Sequence, residues 1–130
     1  MASLRMVDSR VGDLDGVLKE LRSQKSDRKF LLFLADIDPS TSRSWCPDCV
    51  RAEPVIYQKL EAFSGDVTLV RAYVGDRPTW RNPRHPWRTD DRFKLRGVPT
   101  LMRLDEDGAI AGRLEDHEAH LERQIDELIR

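Results

Sequence analysis

The chain has 130 residues, 39% hydrophobic and 35% charged, with a formal net charge of -1. That length fits one domain over residues 1–130 with a core large enough to need no disulfide staples, and two cysteines are too few for a disulfide scaffold. The longest apolar run, Phe30 to Ala35, is too short to cross a membrane, and the opening residues lack the apolar stretch of a secretory signal, so the expected compartment is the reducing cytosol or nucleus, with a cytoplasmic protein as the default.

The elements follow from periodicity. Leu4 to Val7 reads as a short first strand. Leu14, Val17, Leu18 and Leu21 repeat at i, i+3, i+4, i+7 and predict a helix from about Asp13 to Ser23, weakened by Gly16. Lys29 to Ala35 is continuously apolar after its first residue, the pattern of a central strand covered on both faces. Asp36 to Ser44, with Pro39 and several Ser and Thr residues, reads as a loop leading to Cys46 and Cys49.

A helix is predicted from these cysteines to about Phe63. Pro47 suits a first helical position, and Asp48 lies where a carboxylate favours the helix N-terminus. Its apolar side is read as Val50, Pro54, Ile56 or Tyr57, and Leu60, with Pro54 bending it. Val67 to Val74 is a strand by β-branched content. Residues 75–91 hold three prolines and two tryptophans without a period and read as a long irregular connection, followed by a short helix near Arg92 to Leu95. Val98 to Leu104 and Ala109 to Arg113 flank the turn Asp105 to Gly108, and a last helix is read from Leu114, Leu121, Ile125 and Leu128. The order is β-α-β-α-β-α-β-β-α, an α/β fold with the cysteines at the carboxyl end of a buried strand, where open α/β sheets keep their chemistry.

Charge is unevenly spread. Residues 76–96 carry seven basic groups against three acids, and residues 105–127 carry nine acids against Arg113 and Arg123. Two solvated faces are a simpler reading than steering of a charged partner, and the basic stretch contains no nucleic-acid reading module, so no nucleic acid and no membrane is expected as partner, and a monomer is the default.

Two cysteines three residues apart permit a disulfide, half a zinc site, or two small core side chains. A redox pair wants its first sulfur at a helix N-terminus, where free N–H groups stabilise the thiolate, and its second one turn on. A solvent-facing Asp48 about 6 Å from Cys46 opposes the thiolate by roughly 0.7 kcal/mol, against up to about 2 from the helix end, so Cys46 is predicted to be the more acidic thiol and Cys49 the less acidic. Zinc needs four ligands, and the other candidates, His117 and His120, lie far along the chain at an i, i+3 spacing short of the usual finger range, so two surface histidines on a helix are the simpler reading. His85, between prolines, reads as solvated. Trp80 and Trp87 either anchor the 75–91 segment or bind a partner.

Trp45-Cys46-Pro47-Asp48-Cys49, Pro54 beyond it, and Val98-Pro99-Thr100 before the hairpin resemble a thioredoxin fold: a central mixed sheet flanked by helices on both faces. Continued by Val50-Arg-Ala-Glu-Pro-Val55 and by Val74-Gly-Asp-Arg-Pro-Thr-Trp80-Arg-Asn-Pro83, the pattern resembles the fourteen-kilodalton thioredoxin-related family, also called thioredoxin domain-containing protein 17 or Clot, over nearly the whole chain. The resemblance implies a disulfide reductase with Cys46 as nucleophile, Cys49 as resolving thiol, and Pro47 and Asp48 tuning the redox potential. Trp45 and Val98 would contact substrate beside a cis Pro99. It further implies no cofactor, no metal, thioredoxin reductase as electron donor, cystine-like, nitrosothiol or selected protein disulfides as substrates, a peroxidase activity, and a signalling association as the non-catalytic alternative. One departure stands out: thioredoxins proper carry a buried acid on the central strand, and Leu32 holds that place here.

Overall fold

The computed structural model describes residues 3–130. Strand β1 (Ser3–Arg10) leads to helix α1 (Leu14–Ser23) and strand β2 (Arg28–Leu34); a two-strand hairpin, β3 (Ile37–Asp38) and β4 (Arg43–Ser44), precedes helix α2 (Pro47–Glu61) and strand β5 (Asp66–Tyr73). Two short helices, α3 (Arg77–Arg81) and α4 (Pro86–Thr89), come before strands β6 (Thr100–Leu104) and β7 (Ile110–Leu114) and helix α5 (Glu122–Ile129). The main sheet runs β1-β5-β2-β6-β7, with β1, β5 and β2 parallel and β6 and β7 antiparallel.

Strand β2 is central, and Phe30 to Leu34 are fully buried, so both sheet faces are covered as the apolar run predicts. Side chains alternate between those faces. On one, Lys29 donates to the Leu21 carbonyl of α1 at 2.7 Å, and Phe33 packs edge-on against Trp87 and Phe93. On the other, Arg28 donates to the Ile129 carbonyl of α5, and α5 packs on α2, tied by Lys59 to Asp126 at 3.0 Å. Leu32 therefore faces the α2 side.

Several expectations are corrected. Leu114 ends β7 and is not helical; α5 starts only at Glu122. Val50 and Pro54 are exposed, and the buried stripe of α2 is Cys49, Ala52, Ile56 and Leu60, in which small Cys and Ala side chains hid the periodicity. Residues 91–93 form a turn and 94–95 are irregular, and the helices of this region fall earlier, where Asp76 and His85 accept backbone N–H groups at the starts of α3 and α4. His85 is buried, not solvated, whereas Trp80 and Trp87 are buried anchors, the simpler of their two readings. His117 and His120 lie in a turn after β7, not on a helical face.

Candidate functional site

The cysteine pair sits where β4 becomes α2. Cys46 is the residue before the helix, extended at φ -106°, and Pro47 opens the first turn, where its missing N–H costs nothing. The Cys49 backbone N–H donates to Cys46 Sγ at 3.2 Å. As a thiol, Cys46 Sγ also donates to the Val98 carbonyl at 3.4 Å. The Val98–Pro99 peptide is cis, and both residues are buried. The two sulfurs are unbridged.

The two thiols differ in environment. Cys46 keeps 7% of its surface exposed, whereas Cys49 is sealed at 0%. The hydrogen bond from the Cys49 thiol, joined by its backbone N–H, lowers the Cys46 pKa to about 7, against the opposing effects of burial and the Asp48 carboxylate. Cys49 moves the other way: its bond to Cys46 and its burial push it far up, and the Glu53 carboxylate one turn along adds to this. The pair thus loses its first proton near neutral pH from the sulfur that reaches solvent, with a thiol kept behind it. This is the order predicted for the two sulfurs, but the strongest stabilising contact comes from the second cysteine itself. Asp48, exposed, pairs with Arg51 at 3.1 Å.

Trp45 is held beside the sulfurs from three sides. Its indole N–H donates to the Gly75 carbonyl at 3.0 Å, its own carbonyl accepts from Arg77 at 2.8 Å, and the Arg77 guanidinium lies 5.4 Å from its ring centre. Gly75, at φ +104°, exchanges hydrogen bonds with Asp36, accepting the Asp36 N–H and donating to Asp36 Oδ1. A side chain at position 75 would press on Thr79 as well as strain the backbone. Gly75 and Arg77 belong to the family motif that begins at Val74, but their hold on Trp45, and that of Asp36 on Gly75, crosses the fold and is shown by no local spacing.

A groove of about 1000 Å³ opens beside Trp45, bounded by the β3–β4 hairpin and the start of α3. A smaller cavity of about 430 Å³ lies at the other end of β2, by Lys29, away from the sulfurs. Among the described residues, no cluster of His, Cys, Asp and Glu is placed to hold a metal ion, and no helix is long and apolar enough to cross a membrane.

A five-stranded mixed sheet with helices on both faces, a cis-proline and a cysteine pair opening a helix define the thioredoxin class. The match to solved structures agrees: Schistosoma mansoni thioredoxin superposes with a TM-score of 0.60 at 17% identity, covering 96% of this chain and 93% of that one. A family model described as thioredoxin domain-containing protein 17-like, thioredoxin domain, matches residues 9–130. The thioredoxin-like protein Clot of Arabidopsis thaliana is 60% identical over 95% of this chain and 93% of its own, and thioredoxin domain-containing protein 17 of Mus musculus is 35% identical over 65% and 67%. The chain belongs to the thioredoxin domain-containing protein 17-like family.

Proposed function

We propose that this protein is a cytoplasmic thiol–disulfide oxidoreductase in which Cys46 attacks a disulfide and Cys49 resolves the mixed disulfide. The observation that carries this reading is the Cys49 N–H on Cys46 Sγ at 3.2 Å, with Cys46 alone of the pair reaching solvent. A thiolate near its own pKa at neutral pH is the optimum attacking group, because lower values sacrifice nucleophilicity. Pro47 and Asp48 tune the pair. Trp45 and the Val98 carbonyl flank the sulfur, and an extended substrate would pair with Val98 beside Pro99. Small disulfides such as cystine, nitrosothiols and selected protein disulfides are the substrate classes, with thioredoxin reductase as electron donor.

The test is Cys49→Ser. Mixed with cystine or insulin, that variant should accumulate a mixed disulfide through Cys46, detected by mass, while the native chain turns over with a nicotinamide-coupled reductase. Failure of both to react would favour a non-catalytic interaction module that keeps the fold.

A further inference from the structure

The exchange just described, on which this inference rests, leaves one proton unaccounted for. Once Cys46 Sγ is bonded to a substrate sulfur, Cys49 must lose its thiol proton before it can attack. Its sulfur then bonds to Cys46 Sγ, the Cys46–substrate bond breaks, and the electron pair leaves on the substrate sulfur, which is protonated from water. The substrate disulfide is reduced by two electrons and the protein dithiol oxidised. Cys49 is sealed from solvent, and Leu32 on the facing strand offers no acceptor.

The α2 face supplies another carboxylate. Glu53 stands one helical turn after Cys49, at the edge of the buried stripe of α2, and helical side chains lean towards the preceding turn. It is half-buried, and its Oε1 accepts the Tyr57 hydroxyl at 2.7 Å. Its Oε2 takes no protein donor among the described residues. Arg71 donates to the Tyr57 hydroxyl at 3.3 Å and pairs with Asp8 at 2.6 and 3.1 Å. Arg71 sits beside Leu32 in strand register, and Asp8 beside Arg71. The chain Asp8–Arg71–Tyr57–Glu53 thus crosses from the sheet, at the level of Leu32, to the helix turn behind Cys49. Tyr57 on the same helix bonds Glu53 directly, Arg71 of β5 reaches it through the Tyr57 hydroxyl, and Tyr73 of β5 and Cys49 lie within reach of its charge.

We propose that Glu53 is the acceptor of the Cys49 proton, and that Tyr57, Arg71 and Asp8 are positioning residues that aim its free oxygen along α2. The role that a buried strand acid would fill is thereby moved one layer over, onto the helix.

A nitroaryl disulfide that releases a coloured thiolate separates the two steps, one release on capture by Cys46 and a second on attack by Cys49. Glu53→Gln is near-isosteric and still accepts the Tyr57 hydroxyl. It should leave the first phase unchanged and slow the second at neutral pH by about 10- to 100-fold, with the loss recovering as pH rises. Glu53→Asp should restore part of the second phase, and Tyr57→Phe should slow it by a few-fold. The competing effect has the opposite sign: the Glu53 charge holds the Cys49 pKa up, so a purely electrostatic role predicts a faster second phase in Glu53→Gln. A second phase equal to or faster than native at every pH overturns the proposal and leaves the exchange reading intact; absence of the first phase in the native protein sinks the exchange reading itself.

Discussion

At Cys46 opposing effects meet on one sulfur. The Cys49 thiol and N–H lower its pKa, while burial and, behind it, the Asp48 carboxylate raise it, and the balance falls at about 7. Asp48 reaches Cys46 through solvent and already pairs with Arg51, so its effect is the smaller. Asp48→Asn keeps size and helix start but removes the charge. The expected result is a Cys46 alkylation profile, midpoint near neutrality in the native protein, moved to lower pH; an unmoved or raised midpoint would show that the carboxylate does not act on the sulfur. Both cysteines and their order were legible in the sequence, because Pro47 and an acid after a buried strand announce a helix start. Glu53 was not, because an acid on a helix flank becomes distinctive only once Tyr57 and Arg71 are seen to hold it.

The α3–α4 segment shows how an element without periodicity is fixed. His85 Nε2 bonds the Val74 carbonyl at 2.8 Å, and its Nδ1 accepts the Trp87 N–H at 3.1 Å, so the neutral tautomer with Nε2 protonated satisfies both partners. Trp80 stacks edge-on on the same ring, and the Arg88 guanidinium lies 3.7 Å from the Trp80 ring centre, so part of the basic stretch serves packing rather than partner binding. Burial lowers the His85 pKa, helped by the Arg88 charge and opposed by the Val74 carbonyl. The folded value lies below the unfolded one, so the stabilising contribution is present above about pH 6.5 and is lost as pH falls through the folded pKa. Urea unfolding of the native protein should therefore weaken from pH 7.5 to 5.5 more than that of His85→Gln. Parallel pH dependences would remove His85 from the linkage.

Over the whole molecule, β2 is hydrogen-bonded on both edges and covered on both faces, whereas β1 and β7 are sheet edges. The Phe30–Phe33 amides should exchange with solvent only through global unfolding, and those of β1 and β7 through local opening with less protection. Equal protection across all five strands would contradict this layering. The same centrality explains what sequence periodicity reached. A six-residue apolar run can only be a core strand, and Leu14 to Leu21 only one face of a helix. Leu114 misled because its seven-residue spacing to Leu121 equals two helical turns, while it alternates with Gly112 and Ile110 in β7.

By itself the sequence determined the order of the main elements, the helix that opens at Cys46, and the family motifs around it, since these depend on local spacing, proline geometry and continuous apolar runs. Only the tertiary structure decided that His85 is buried, that Gly75 and Arg77 hold Trp45, and that Glu53 is tied through Tyr57 to Arg71. Each of those depends on residues brought together from separate strands and helices, and no local pattern encodes which side chains will meet across a packed sheet.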